Sequence, residues 1–151
     1  MIEEIILNNF GTNPKYAESP YKIWQMAPIQ TKGTKIGENV AEYLLSRLGF
    51  NVGPREDSEH DRMIDGKKVE IKTAFEPIES NRFVFYGYNP VDNPHYWVFQ
   101  FVKPDSITLI KMDRVSMAQM HLRDSKGAFM FDTTVEEMLE AGGRIIALEE
   151  E

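Results

Sequence analysis

The segment HDRMIDGKKVEIKTA, residues 60–74, constrains the fold of this chain more than any other stretch. Asp65 and Gly66 stand between two runs that contain apolar residues, and an Asp-Gly pair favours a type I′ turn because both positions of that turn need a positive φ. If these two residues form the whole loop, Asp61 lies directly opposite Glu70 in an antiparallel pair. The segment therefore predicts a tight β-hairpin with two facing carboxylates.

Alternation along the two strands separates the side chains of this hairpin into two faces. The charged face carries Asp61, Lys68, Glu70 and Lys72, and the apolar face carries Ile64, Val69 and Ile71. A register shift of two residues keeps the same faces, so the division into faces does not depend on one pairing.

The charged face has two interpretations. Carboxylates directly opposite each other, with Cβ atoms about 5 Å apart, repel, and a divalent cation between them removes that repulsion. Mg²⁺ takes one or two carboxylates and fills its remaining positions with water and substrate phosphate. Lys72 would then hold a positive charge beside the ion, where it can orient a water molecule or neutralise a phosphorane-like transition state. The alternative is a solvated face on which Lys68 and Lys72 neutralise the two acids.

The remaining patterns predict a mixed sheet with flanking helices. Apolar stripes and end signals predict helices at residues 19–27, 34–48, 114–122 and 134–142. The stripe of the second of these helices comprises Ile36, Val40, Tyr43, Leu44 and Leu48. Strands are predicted at residues 50–52, 59–64, 67–74, 82–88, 96–102, 106–111 and 144–148. This order is typical of an α/β or α+β fold, and the length of 151 residues suits a single domain, residues 1–151.

Composition excludes several classes of function. The chain has no cysteine, so thiolate metal sites and cysteine chemistry are excluded. No apolar run approaches the roughly 20 residues of a membrane span, and the first residues lack the pattern of a secretory signal, so a cytoplasmic protein without membrane contact is expected. The formal net charge of −7 argues against a nonspecific nucleic-acid coat, but five of the acids lie at the chain ends, which leaves room for a basic face.

The string Asp61-x8-Glu70-Ile71-Lys72 resembles the PD-(D/E)xK motif of the restriction-endonuclease-like nuclease superfamily. The preceding segment GENVAEYLLSRLGFNV, residues 37–52, is similar to the helix and first strand that come before the motif in many members. The position of the family's proline is occupied by histidine here. The resemblance covers about a quarter of the chain and implies a restriction-endonuclease-like fold, with a central mixed β-sheet flanked by helices.

The resemblance also implies an activity and a role for each residue. It implies a Mg²⁺-dependent DNA endonuclease, with Mn²⁺ as a substitute ion, that hydrolyses phosphodiester bonds. Asp61, Glu70 and the Ile71 carbonyl would bind the metal, and Lys72 would position or activate the attacking water. Glu38 matches a helix glutamate that faces the metal in the family. Compact type II restriction enzymes of this kind act as homodimers in which each subunit cuts one strand.

Residues around the hairpin are candidate contacts for duplex DNA. They are Lys35, Thr73, Asn81 and Arg82. Glu42, one turn after Glu38 on the same flank of the helix, is an alternative third carboxylate. Phe83, Phe85, Trp97, Phe99 and Phe101 alternate at period two, which favours the core face of strands over base stacking. Other functions that stay open are a repair nuclease, a junction resolvase, and a non-catalytic nucleic-acid-binding or protein-interaction module of the same fold.

Overall fold

A six-stranded mixed β-sheet is the centre of the structure, a computed structural model that describes residues 34–55, 61–77, 80–86, 94–124 and 130–150. The strands are β1 (Val52–Arg55), β2 (Asp61–Ile64), β3 (Lys67–Phe75), β4 (Phe83–Tyr86), β5 (Tyr96–Lys103), β6 (Ser106–Asp113), β7 (Met130–Thr133) and β8 (Arg144–Glu150). The helices are α1 (Thr34–Arg47), α2 (Arg114–Asp124) and α3 (Val135–Glu140). The large sheet has the order β1-β2-β3-β5-β6-β8, and β4 pairs with β7 in a second, two-stranded sheet. Only β3 and β5 run parallel in the large sheet; its other described neighbours are antiparallel.

These elements confirm the predicted mixed α and β architecture. The strand predicted at 50–52 begins at Val52 and continues to Arg55, and the strand β7 was not predicted. The helix predicted at 19–27 lies outside the described residues. Thr134 caps α3 as predicted, because its hydroxyl accepts the N–H of Glu137 at 3.1 Å.

The β2–β3 turn has the conformation that its sequence requires. Asp65 has a φ of 49° and Gly66 a φ of 78°, so both residues are in the left-handed region. Asp65 is fixed further by Asn51, because each of the two residues donates its backbone N–H to the other: Asp65 to the Asn51 carbonyl and Asn51 to the Asp65 Oδ1, both at 2.9 Å. The hairpin therefore has the two-residue loop on which its predicted register depends.

Helix α1 packs on one face of the sheet, and its buried side coincides only in part with the predicted apolar stripe. Of that stripe, Leu44 is buried and Val40 packs against the core, whereas Tyr43 and Leu48 are 62% and 54% exposed. Ala41 and Leu45, outside the stripe, are also buried in this core, which includes Val69, Ile71, Tyr96 and Val98 of the sheet. The buried side is therefore rotated relative to the prediction, toward a charge network described below.

The first turn of α1 lies unusually close to β3. A Cβ atom added at Gly37 would come within 2.4 Å of Thr73 Cγ2, so only glycine fits at this crossing. Gln100 on β5 secures the contact, because its Nε2 donates to the Gly37 carbonyl at 2.7 Å and to Thr73 Oγ1 at 3.1 Å.

The opposite face of the sheet carries an aromatic core under β4 and β7. Phe85 makes edge-to-face contacts with Phe99 and Phe101 at centroid distances of 4.9 Å and 5.1 Å. Phe131 of β7 stacks on Phe85 at 5.7 Å. The alternating aromatic residues thus form a core face, as predicted. In the part of the chain that the structure describes, none of the helices has the length and apolarity that crossing a bilayer requires.

Candidate active site on the hairpin

Asp61 and Glu70 are Cα partners in the β2–β3 ladder, as the two-residue turn predicts. The orientation of the β3 backbone follows from Lys68, whose carbonyl accepts the His95 N–H at 2.8 Å and whose N–H donates to His95 Nδ1 at 3.0 Å, on the β5 side. Backbone groups two residues apart in a strand point the same way, so those of Glu70 also face β5. Asp61 and Glu70 therefore form a non-hydrogen-bonded pair, the kind whose Cα atoms are only about 4.5 Å apart.

Glu70 and Lys72 lie side by side on the face of β3 that β4 and β7 cover. Each residue is 3% exposed, and Lys72 Nζ is 4.0 Å from Glu70 Oε2. Their Cα partners on β5 are Trp97 and Phe99, which are also buried. The alternative of a solvated face is therefore wrong at these two positions, whereas Lys68, nearer the turn, is exposed. Charges in such surroundings interact more strongly than they would in water.

The backbone at Ile71 faces the other way from that of Glu70. Since alternate residues of a strand point their backbone groups to opposite neighbours, the Ile71 carbonyl faces β2. Val69, two residues earlier, is the partner of Arg62, so Ile71 lies one step beyond the Asp61–Glu70 pair. The carbonyl that the family resemblance assigns to the metal is thus at the same edge of β3 as Asp61.

The described metal-donor atoms at this edge are oxygens. Glu70 contributes a carboxylate and Ile71 a carbonyl, and Mg²⁺ and Mn²⁺ prefer such ligands. Of Asp61 the structure describes the backbone, and the side chain lies outside the description. Among the described side chains, no three acidic or histidine residues gather as a metal site. The residues present fit one hard cation held by few protein ligands, which is the usual way in which proteins bind Mg²⁺.

Glu38 is buried, and its described partner is an arginine. Arg62, next to Asp61 on β2, donates from Nη2 to Glu38 Oε2 at 3.3 Å and from Nε to Glu42 Oε1. Arg62 and Glu38 have side chains only 5% exposed. These groups lie on the α1 face of the sheet, because Arg62 pairs with Val69, whereas Glu70 points to the opposite face. The predicted role of Glu38 as a third metal ligand therefore stays a prediction, in competition with an ion pair.

Arg62 is the residue at this site that the sequence interpretation missed. A signal for it was present: alternation puts Arg62 on the same face as Ile64, which predicts a buried charge in need of an acidic partner. Glu38 and Glu42, one turn apart on α1, supply two such acids. The sequence signal therefore has two parts in separate segments: an arginine on the apolar face of a strand, and two glutamates four residues apart on the helix that covers this face.

The candidate DNA contacts are not gathered at the Glu70–Lys72 face. Thr73 is buried on the α1 face and bonds to Gln100. Lys35 lies in the first turn of α1, and its side chain is outside the described residues. Asn81 is exposed in the bend before β4.

Arg82 forms a clamp between β7 and α3. Its guanidinium donates to Asp132 Oδ1 from Nη2 at 3.0 Å and to the two carboxylate oxygens of Glu137 at 2.6 Å and 3.1 Å. Hydrogen bonds to Glu137 and then to Asp132 raise the pKa of the Arg82 guanidinium above its usual value. With both carboxylates bound, this side chain has a structural role that the DNA-contact prediction did not include, although 37% of it remains exposed.

No family model, no curated protein and no solved structure matches this chain. The interpretation of the site accordingly depends on the hairpin register and on the chemistry of the residues it brings together.

Proposed function

We propose that this protein is a Mg²⁺-dependent endonuclease that hydrolyses phosphodiester bonds in duplex DNA, with a restriction-endonuclease-like fold. The observation that carries the proposal is the pairing of Asp61 with Glu70, with Lys72 on the same face of β3. The proposal includes a cytoplasmic location and action as a homodimer, of the kind that compact type II restriction enzymes form.

The roles of the residues follow from their chemistry. Asp61, Glu70 and the Ile71 carbonyl would hold the cation, which when bound would polarise the scissile phosphate and stabilise the leaving oxygen. Lys72 would orient the attacking water by hydrogen bonding and would offset the negative charge that develops on the phosphate. Its burial supports this role, since a fixed positive charge stabilises a transition state more in a low-dielectric site than in water.

The test is cleavage of supercoiled plasmid and of linear duplex in Mg²⁺, in Mn²⁺ and in EDTA. We expect nicked or linear products with either ion and none in EDTA. Glu70→Gln should abolish cleavage, and Glu136→Gln, at an exposed acid of α3, is the matched control. The products also separate the subclasses: discrete fragments indicate a restriction-type enzyme, whereas cleavage only of branched or damaged DNA indicates a resolvase or repair nuclease.

A second candidate function is a non-catalytic module of the same fold that binds nucleic acid or protein. The burial of both Glu70 and Lys72 favours it, because a buried ion pair can serve structure alone. Metal binding separates the two candidates. Trp97 is the Cα partner of Glu70 and one of two tryptophans in the chain, so in a Trp24→Phe background its fluorescence reports on this site. A nuclease should show a saturable Mn²⁺ response, and a purely structural ion pair should show none.

A further inference from the structure

Strand β8 ends the large sheet, and among the described strands it pairs with β6 alone. No described strand pairs with the outer edge of β8, and an edge of this kind can accept a further strand. Within β8 the register shifts: Ala147 pairs with Leu109 and Ile145 with Ile110, so Ile146 is an extra residue, a β-bulge.

The bulge gives β8 a symmetric pattern of faces. Ile146 and Ala147 both pack against the α1 core, while Ile145 and Leu148 face the other side and are 46% and 50% exposed. Glu149 lies on the α1 face, where its Oε1 is 3.8 Å from Arg47 Nη1.

Arg144 also belongs to the α1 face. Its partner Lys111 lies over the ring of Tyr96, which is part of the α1 core. Read from either end of residues 144–149, the faces occur in the same order.

A strand with this pattern can pair with a second copy of itself. In an antiparallel pair, residues directly opposite each other lie on the same face. Centring two β8 strands between Ile146 and Ala147 satisfies this condition at every position. A shift of the register by one residue in either direction sets residues of the α1 face opposite residues of the other face, which an antiparallel pair does not allow.

The same register matches the chemistry of the side chains. It sets Arg144 opposite Glu149 of the partner subunit, and, by symmetry, the reverse pair forms as well. It also sets the exposed Ile145 opposite the exposed Leu148 of the partner subunit. The bulge and the end charges would reject most other strands, so the edge is selective as well as complementary.

We propose that two copies of this chain associate through antiparallel pairing of their β8 strands, which joins the two large sheets into one. Tyr43 on α1 and Leu48, directly after the helix, are exposed beside the Arg47–Glu149 contact and would add apolar surface to the same interface. The inference gives an interface to the homodimer that the proposed function includes; because it uses no residue of the hairpin, its failure would not count against the nuclease activity itself.

Charge reversal tests the pairing. Sedimentation of the full chain over a range of concentrations should show a monomer–dimer equilibrium. Arg144→Glu or Glu149→Arg alone should raise the dimer dissociation constant by about tenfold or more, because like charges then oppose each other twice in one interface. An equimolar mixture of the two variants should form heterodimers, and the double variant should dimerise like the wild type. Recovery in the mixture shows that neither variant is merely misfolded.

Lys67→Glu is the control, because it is a charge reversal at an exposed position of β3, which β5 and β6 separate from β8; it should not change dimerisation. Because the chain has no cysteine, Ile145→Cys combined with Leu148→Cys gives an independent readout, a covalent dimer on mild oxidation. A wild type that stays monomeric at every concentration, or single charge variants that dimerise as well as the wild type, would overturn the proposal.

Discussion

Asp61 and Glu70 face each other across the β2–β3 hairpin as a non-hydrogen-bonded pair, whose backbones approach more closely than those of the neighbouring pairs. Two carboxylates so placed repel each other unless a proton or a cation intervenes. On β3 itself, Lys72 partly compensates Glu70 at 4.0 Å.

The first prediction is that Asp61 contributes to cation affinity and Asp65 does not. Asp61→Asn should weaken Mn²⁺ binding by about tenfold or more, because the ion loses one of its few charged ligands. Asp65→Asn is the matched control on the same hairpin: asparagine also adopts a positive φ and keeps an oxygen for the Asn51 N–H. Titration calorimetry measures both affinities. Equal affinities for the two variants would remove Asp61 from the site.

The second prediction concerns the stability of the Glu70–Lys72 pair. Glu70→Gln alone should lower the free energy of unfolding in metal-free buffer, by at most about 3 kcal/mol, because the buried Lys72 cation loses a carboxylate at 4.0 Å while the Asp61–Glu70 repulsion is relieved. Adding Lys72→Met should restore part of that loss, since a buried pair replaced as a whole costs much less than a pair that is broken. Urea unfolding of the two single variants and the double variant gives the coupling energy. Additive effects would mean that the two groups do not interact.

The third prediction separates Lys72 from Lys68 in catalysis. Lys72→Met should lower the single-turnover cleavage rate by about 100-fold or more, because the transition state loses a fixed positive charge. Lys68→Met changes the same residue type on the same strand face but at an exposed position, and should leave the rate unchanged. Saturating enzyme makes the comparison independent of DNA affinity. Similar small losses for both variants would rule out a catalytic role for Lys72.

The fourth prediction concerns the charges under α1. Arg62→Met should destabilise the protein by about 3 kcal/mol, because the buried Glu38 carboxylate would lose its ion pair with the Arg62 guanidinium. Glu42→Gln should cost less, since 25% of the Glu42 side chain is exposed. Thermal or urea unfolding measures both. If Glu38 also binds the metal, as the family resemblance implies, Glu38→Gln will weaken Mn²⁺ binding and Glu42→Gln will not.

The fifth prediction is a pH dependence at the start of α2. The Asp113 carboxylate accepts the Ser116 N–H at 2.8 Å, and this backbone hydrogen bond lowers the pKa of Asp113 below its ordinary value. A lowered pKa in the folded state means that the ionised carboxylate stabilises the protein above its unfolded pKa of about 3.9, and that this contribution disappears as the pH falls through the folded value. Asp113→Ala should cost about 1 kcal/mol at neutral pH.

Asp113→Asn isolates the contribution of the negative charge, because the asparagine side-chain oxygen can still accept the Ser116 N–H at the start of α2. Its stability relative to the wild type should be lower at neutral pH; the difference should shrink as the pH falls below the unfolded pKa of about 3.9 and vanish only below the lower folded pKa. Urea unfolding at a series of pH values measures it. A difference that persists unchanged in acid would contradict the assignment of the lowered pKa to Asp113.

The hairpin could be predicted down to individual residue pairs because a two-residue turn leaves its strands no freedom of register. The orientation of α1 could not. Its buried side combines Leu44 of the predicted stripe with Glu38, Ala41 and Leu45, and the glutamate among them is buried in an ion pair with Arg62. Tyr43 and Leu48 belong to the predicted apolar stripe because a hydrophobic pattern takes no account of a charged partner, such as Arg62, on another element.

Pairings between distant segments were equally beyond the sequence. The strand β7 is short, and what stabilises it is the ladder with β4 and the aromatic contacts of Phe131, which come from elsewhere in the chain. Arg82 was predicted as a DNA contact, and its two carboxylate partners could not be predicted because they follow from that same β4–β7 pairing. The site residues Glu70 and Lys72 were placed correctly on one face, while their burial depends on this second sheet.

The pairing of β4 with β7 also has a consequence for synthesis. On the ribosome β4 emerges well before β7, with the whole of β5, β6 and α2 translated in between. During that interval the aromatic side of the sheet around Phe85 and Phe99 lacks Phe131, and the groups that share it, Glu70 and Lys72, lack their final surroundings. Non-local pairings of this kind form late and slowly. We therefore expect the surroundings of Glu70 and Lys72 to be completed only after β7 has left the ribosome, so that any activity that depends on these two groups is absent from shorter nascent chains.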